Sequence, residues 1–79
     1  MDLKELITID KDILGGQPVF KGTRVPIESL FDHLEEGVSL EEFLEDFPSV
    51  EKKQAKAILE IANKLFKSKN ISTLYEIAA

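Results

Sequence analysis

Residues 15–26, GGQPVFKGTRVP, separate two parts of the chain that have different sequence patterns. This stretch holds three of the four glycines, two of the three prolines and the single arginine. A glycine in the pair 21–22 can take the positive φ that tight hairpins need, and Pro26 suits the first turn of a helix, where its missing N–H is not required. The stretch therefore predicts a β-hairpin, between residues 19–20 and 23–25, that leads into a helix.

Three helices are predicted after this stretch, because apolar residues there recur at helical spacing. The first ends at Gly37, and Ser39 with Glu42 forms a capping-box pattern that opens the second. Ser49 is the expected cap of a third helix, which runs to about residue 68. The apolar positions that define the three helices are Ile27, Leu30, Phe31 and Leu34, then Leu40, Phe43, Leu44 and Phe47, then Ala55, Ile58, Leu59, Ala62, Leu65 and Phe66.

Two shorter segments complete the expected fold. Residues 6–9, LITI, are a β-favouring run, and the marginal hairpin needs such a third strand or a helix face beside it. Residues 69–79 have helical spacing, with Thr73 and Glu76 as a weaker capping box. We expect a single, mainly α domain over residues 1–79, made of a β-hairpin segment (1–26), a three-helix core (27–68) and a C-terminal tail or short helix (69–79).

Composition limits the compartment and the chemistry. The chain has 79 residues and no cysteine, so disulfides and thiolate zinc sites are excluded and a reducing cytoplasm is favoured. The first residues of the chain carry charges where a secretory signal would have an unbroken apolar run. No apolar run approaches the length needed to span a membrane. A domain this small buries only about 60% of the surface of its unfolded chain, so association with itself or with a partner is expected.

The net charge of −5 is unevenly distributed along the chain. Residues 1–51 carry thirteen acidic and four basic side chains, whereas residues 52–79 carry two acidic and six basic ones. The C-terminal third can therefore face an anionic partner that the rest of the molecule would repel.

No motif for catalysis or for phosphate, metal or cofactor binding emerges. A phosphate loop needs lysine after its last glycine, but Lys21 precedes Gly22. His33 is the only histidine and we expect it to be a solvated helix residue, as we expect of the acidic run at 41–46. We therefore predict no enzyme activity, no metal and no cofactor, and a structural role for six residues: Gly16, Pro18, Gly22, Thr23, Pro26 and Gly37.

Residues 36–59 have the layout of a helix-turn-helix unit, in which the second helix can enter the major groove of DNA. The candidate DNA contacts on this helix are Lys52, Lys53, Gln54 and Lys56. Arginine is missing from the helix, and Glu51 in its first turn would repel phosphate. A three-helix core with solvated lysines is an equally good interpretation.

The pattern Gly16, Pro18, Gly22, Thr23 and Arg24, followed by Gly37, Ser39 and the Phe47-Pro48 pair, resembles the domain of unknown function 433 family. The resemblance implies a three-helix core of homeodomain-like or winged helix-turn-helix type, with a short N-terminal β-hairpin and a short C-terminal helix. Members often resemble VapB-type antitoxins, which are paired with a small PIN-like ribonuclease toxin.

The resemblance thus implies a non-enzymatic antitoxin, expected as a homodimer, that neutralises a PIN-like toxin and represses its own operon DNA. The alternative is a DNA-binding regulator of helix-turn-helix type without a toxin partner. Leu74, Tyr75 and Ile77 are the candidate partner contacts, although the tail can instead fold back onto the helices. Arg24 is a second candidate contact, or else pairs internally with one of three carboxylates, Asp10, Asp12 or Asp32.

Overall fold

The computed structural model describes residues 2–78. Within that range the protein is mainly helical with one small antiparallel sheet, which confirms the expected class. The elements in chain order are α1 (Leu3–Leu6), β1 (Ile7–Thr8), a 3-10 turn (Leu14–Gly16), β2 (Val19–Phe20), α2 (Ile27–Glu35), α3 (Leu40–Asp46), α4 (Lys52–Lys67) and α5 (Lys69–Ala78).

The sheet differs from the predicted hairpin in its strand partners. Strand β2 pairs with β1, in the register Ile7 to Phe20 and Thr8 to Val19, rather than forming a ladder with residues 23–25. The chain does reverse after Phe20, but only one bridge, from Val19 to Pro26, extends β2 on that side. The reason is the Thr23 hydroxyl, which accepts the N–H of Val25 at 3.0 Å and so removes that donor from a ladder.

Helix α2 begins at Ile27, where the predicted three-helix core begins, with Pro26 at its N-cap rather than in its first turn, and it ends at a glycine as expected. Gly37 has φ +85°, and its N–H donates to the Leu34 carbonyl at 3.1 Å. The next N–H, of Val38, donates to the His33 carbonyl at 2.9 Å. This is a Schellman motif, which needs a left-handed residue at the position of Gly37.

The predicted N-terminal cap is present in α3 but not in α4. Ser39 caps α3, and its hydroxyl accepts the N–H of Glu42 at 3.1 Å. The prediction that Ser49 caps the following helix is wrong, because α4 starts at Lys52 with Glu51 as its N-cap. The side-chain Oε1 of Gln54 accepts the N–H of Glu51 at 2.9 Å, so the third residue of the helix closes its start.

The core gathers apolar residues from both sides of Pro26. Phe20 and Phe43 lie at its centre, with ring centroids 6.2 Å apart, and both are fully buried. The cluster consists of Leu6, Phe20, Leu30, Phe43, Val50, Ala55 and Ile58. Since Leu6 and Phe20 precede α2, the N-terminal segment is part of the same core.

The C-terminal end of the chain lies outside this core. Helix α5 starts at Lys69, directly after Ser68, so the capping box expected at Thr73 and Glu76 is wrong. None of the described residues of α5 is buried. Between residues 2 and 78, no helix combines the length and the apolar character needed to cross a membrane.

Candidate interaction surfaces

The turn at Lys21 and Gly22 holds three parts of the fold together. The Lys21 main chain donates its N–H to the Leu6 carbonyl at 2.9 Å and accepts from Gln54 Nε2 at 3.1 Å, while Lys21 Nζ donates to the Lys4 carbonyl at 3.1 Å. Gly22 has φ +80°, which a tight reversal requires. This turn therefore joins α1, β2 and α4.

The other residues assigned a structural role also lie in turns or helix ends. The Thr23 hydroxyl donates to the Phe20 carbonyl at 2.8 Å. The Pro18 carbonyl accepts the N–H of Ile27 at 3.0 Å, which ties the start of α2 to the residue before β2. Gly16 ends the 3-10 turn with φ +93°. These residues shape the N-terminal segment.

Gln54 is not placed to read a DNA base as the sequence suggested. Both ends of its amide are used inside the protein, by the N–H of Glu51 and the carbonyl of Lys21. A glutamine that read adenine would need the same two atoms for the base edge. We therefore correct its role to a cap of α4 and a tie to the Lys21 turn.

The lysines of α4 are exposed, but not all are free of acidic neighbours. Lys52 Nζ lies 3.4 Å from Glu41, and Lys53 Nζ lies 3.3 Å from Glu51. Lys56 has no ion pair with any residue in the range 2–78. Exposed pairs such as these are weak and open readily, so the lysines stay available to a phosphate partner.

Three lysines line a groove of about 400 Å³, which we call the lysine groove. Two of them, Lys53 and Lys56, are predicted DNA contacts, and the third is Lys64. The lining of the groove consists of Leu6, Lys53, Lys56, Ala57, Glu60, Ile61 and Lys64. Lys64 was missed because it lies three turns beyond the start of α4, although its spacing of eight from Lys56 places it on the same helix side. Lys52 does not line this groove.

The acidic run on α3 is exposed, as expected. The pKa of Glu41 lies below its ordinary value of 4.5. A hydrogen bond from its own backbone N–H lowers this pKa most, and the ammonium group of Lys52 lowers it further. The part of this lowering that is due to Lys52 comes from the contact between α3 and the first turn of α4.

The predicted partner contacts on α5 are exposed apolar side chains. Leu74, Tyr75 and Ile77 are 52%, 75% and 77% exposed, so the tail does not fold back over the helices to bury them. Near the end of α4, Leu65 and Phe66 are also exposed. We call these five residues the C-terminal apolar surface. Helical spacing predicted the stripe but not that it lacks cover.

A second groove, of about 380 Å³, is lined almost entirely by apolar side chains. It lies between α1, the start of α2 and the middle of α4, and we call it the apolar groove. Its lining consists of Leu3, Ile7, Gln17, Pro18, Ile27, Glu28, Phe31, Ile58, Ile61 and Ala62. No local sequence pattern predicts it, because the groove depends on how α1 lies beside α4.

Arg24 is exposed, and the alternative of an internal ion pair is wrong. The ion pairs among residues 2–78 join lysines to Glu41, Glu51 and Glu60, and none includes Arg24. The carboxylates of Asp10, Asp12 and Asp32 therefore do not hold it. An exposed guanidinium without a carboxylate partner is available for a contact outside the chain.

His33 is half-buried, so the expectation of a solvated histidine is wrong. Its ring meets Phe43 and Phe47 edge-on, with centroid distances of 5.3 and 5.4 Å, and its Nδ1 lies 2.6 Å from the Ser29 carbonyl. These contacts pack α2 against α3. Over residues 2–78, no three His, Cys, Asp or Glu side chains converge as metal ligands would.

The sequence pattern of the family described as "Protein of unknown function (DUF433)" matches residues 7–62. The chain belongs to this family. The uncharacterized protein y4eO of Sinorhizobium fredii (strain NBRC 101917 / NGR234) is 44% identical over 48 residues, which are 61% of this DUF433 chain and 22% of y4eO. The chain therefore spans about a fifth of that relative.

The fold is also that of a solved family member. The crystal structure of a DUF433 member protein from Anabaena variabilis ATCC 29413 matches with a TM-score of 0.66 and 23% sequence identity. The match covers 98% of this chain and 72% of the other. The resemblance to the family seen in the sequence is thus confirmed, with residues 63–78 lying beyond the matched family pattern but within the described fold.

Proposed function

We propose that this DUF433 protein is a non-enzymatic, cytoplasmic binding protein of the antitoxin type, which neutralises a PIN-like ribonuclease and represses its own operon. The observation that carries the proposal is the C-terminal apolar surface. Five large apolar side chains on α4 and α5 are exposed, although a domain of this size has few to spare from its core. An exposed apolar surface of this kind is typical of a protein-binding site.

An amphipathic helix is a common way for one protein to occupy the groove of another. The C-terminal apolar surface offers such a helix in α5, with Tyr75 as the aromatic anchor that binding sites favour. Arg24 is the proposed second contact. Its guanidinium group can form a bidentate pair with carboxylates, and the metal site of a PIN-like nuclease is made of carboxylates.

Co-expression with the product of the neighbouring gene tests the proposal. We expect the two proteins to co-purify and the nuclease activity of the partner to be inhibited. Replacing Leu74 and Tyr75 together by aspartate should abolish both, since it would place two charges in an apolar contact. Ser49→Asp is the matched control, because Ser49 is exposed and lies outside α4 and α5. A neighbour without PIN-like carboxylates, or no complex with the unaltered protein, contradicts the proposal.

A second candidate function is DNA binding through α3 and α4, which would act as the helix-turn-helix unit. The lysine groove favours it, because Lys53, Lys56 and Lys64 are close enough together to line one cavity. Without arginine or a free Gln54, binding would rest on phosphate contacts and would be strongly salt-dependent. DNA binding of this kind would suit an antitoxin that represses its own operon, and it would equally suit a regulator that has no toxin partner.

The salt dependence of operator binding tests this second function. We expect Lys53→Ala with Lys56→Ala to reduce the slope of log affinity against log salt by roughly one for each lost phosphate contact. Lys4→Ala with Lys11→Ala, which removes the same two charges outside the groove, should leave the slope unchanged. An unaltered slope in the double variant would remove these lysines from the DNA contact.

A further inference from the structure

The apolar groove has no occupant among residues 2–78 of its own chain. Leu3 and Ile61 form part of its walls and are 48% and 38% exposed. Its two polar lining residues, Gln17 and Glu28, hydrogen-bond to each other at 2.9 Å, so they do not turn the groove into a polar site. No residue of α5 is among its lining. The groove therefore exposes apolar surface that water solvates poorly.

Helix α5 has the shape that such a groove accommodates. Ile71, Leu74 and Tyr75 follow one another at helical spacing, and all described residues of the helix are outside the core. An amphipathic helix lying in an apolar groove buries such a stripe. The chain thus carries both members of a helix-in-groove contact, but does not bring them together within one copy.

The charges around the two surfaces are complementary between copies. Helix α5 follows a basic segment, with Lys64, Lys67 and Lys69 around the end of α4 and the start of α5. The groove adjoins α2, where Glu28 lines it and Glu35 lies one turn beyond Phe31. Docking α5 of one chain on the groove of another would therefore bring opposite charges together, which favours correct encounter.

We propose that the occupant of the apolar groove is α5 of a second copy of this chain, and that two copies exchange their α5 helices reciprocally. A two-fold axis repeats the contact, which doubles the area contributed by a short helix toward the roughly 1,200 Å² of a specific interface. It also closes the assembly at two chains. A consequence that rests on the proposed function is that a nuclease binding α5 must first open this dimer.

Cysteine cross-linking tests the contact directly, because the chain has no cysteine of its own. Ile61→Cys in the groove and Leu74→Cys on α5 are made in separate chains, which are then mixed and oxidised. We expect a disulfide-linked species of twice 8.9 kDa from the mixture. Glu76→Cys, which lies about 160° around α5 from Leu74, replaces Leu74→Cys in the control and should cross-link much less. If two Leu74→Cys chains cross-link to each other as efficiently as Leu74→Cys does to Ile61→Cys, the proposal is overturned, since this result would place α5 against α5.

Sedimentation of the unaltered protein and of Ile61→Glu separates this proposal from the proposed function. We expect the unaltered protein to dimerise, and Ile61→Glu to weaken dimerisation at least about tenfold by placing a charge in the groove. Because Ile61 is already partly exposed, circular dichroism should show the variant folded. It should still bind the nuclease, whereas the α5 variant with aspartates at 74 and 75 should lose both interactions. A monomer at every concentration overturns the exchange, while a dimer that binds no nuclease overturns only the antitoxin function.

Discussion

The side-chain Nε2 of Gln54 donates to the main-chain carbonyl of Lys21 at 3.1 Å, across 33 residues of sequence. The other end of the same amide accepts the N–H of Glu51 at 2.9 Å. One side chain thus satisfies a free donor at the start of α4 and fixes that helix against the turn after β2. The first turn of α4 is therefore positioned by the N-terminal segment as well as by α3.

Replacing Gln54 by alanine should destabilise the protein and leave phosphate contacts to DNA intact. We expect a loss of about 1–2 kcal/mol in the free energy of unfolding, since one helix cap and one tertiary hydrogen bond disappear. Urea denaturation measures it. Gln54→Glu should cost less, because it keeps the acceptor for Glu51. A Gln54→Ala protein of unchanged stability that binds DNA more weakly would instead make Gln54 a DNA contact.

Replacing Gly37 by a residue that disfavours a left-handed backbone should destabilise the protein. Gly37→Ala keeps the Schellman hydrogen bonds only at a strain of about 1–2 kcal/mol, because an L-residue at φ +85° brings its Cβ close to the following carbonyl. Gly37→Asn should cost less, as asparagine tolerates this conformation. Thermal unfolding of the two variants should rank them in that order, and equal values would mean that the turn rearranges.

Phe43 and Phe66 allow the same substitution to be compared inside and outside the core. Phe43 is fully buried against Phe20, so Phe43→Ala should cost about 3–5 kcal/mol, enough to unfold much of a domain this small. Phe66 is 68% exposed, and Phe66→Ala should change stability by less than about 0.5 kcal/mol. Circular dichroism during heating measures both. A large loss in Phe66→Ala would show that a second chain covers it.

The helices of the central part could be predicted from the sequence because their signals are local. The stripe of α2 and the cap of α3 each depend on residues within one or two turns, and the structure has both. The pairing of β1 with β2 joins residues thirteen apart at Ile7 and Phe20, and no local pattern specifies it. The Thr23 hydroxyl, which takes the N–H of Val25, was the available sign that the hairpin would not extend.

The candidate interaction surfaces were harder to predict, since a sequence pattern does not say what covers a side chain. Gln54 is polar and near a helix start whether it faces DNA or closes the helix. Its spacing of three from Glu51 was the signal for the second role. Phe66 continues the apolar stripe of Ile58, but the core ends before it. The apolar groove has no local signal, because separate parts of the chain form it: α1, β1, the residues before β2, α2 and α4.

Lys52 should control part of the titration of Glu41. The pKa of Glu41 is lowered first by its own backbone N–H and then by Lys52, so Lys52→Ala should raise it toward 4.5 without reaching that value. A lowered folded-state pKa adds stability above the unfolded value, and this stability is lost as the pH falls through the folded value. NMR titration of the Glu41 carboxyl measures the change. Lys53→Ala is the control, since Lys53 pairs with Glu51 instead.

Arg24 should matter for partner binding and little for folding. It is exposed and unpaired within residues 2–78, so Arg24→Ala should change the free energy of unfolding by less than about 0.5 kcal/mol. If its guanidinium binds nuclease carboxylates, the same variant should bind the nuclease more weakly, and Arg24→Lys should recover only part of the affinity because it lacks the planar fork. Lys11→Ala removes an equal charge nearby in sequence and controls for net charge. Calorimetric titration that found full affinity in Arg24→Ala would take this residue out of the interface and leave the C-terminal apolar surface as the proposed contact.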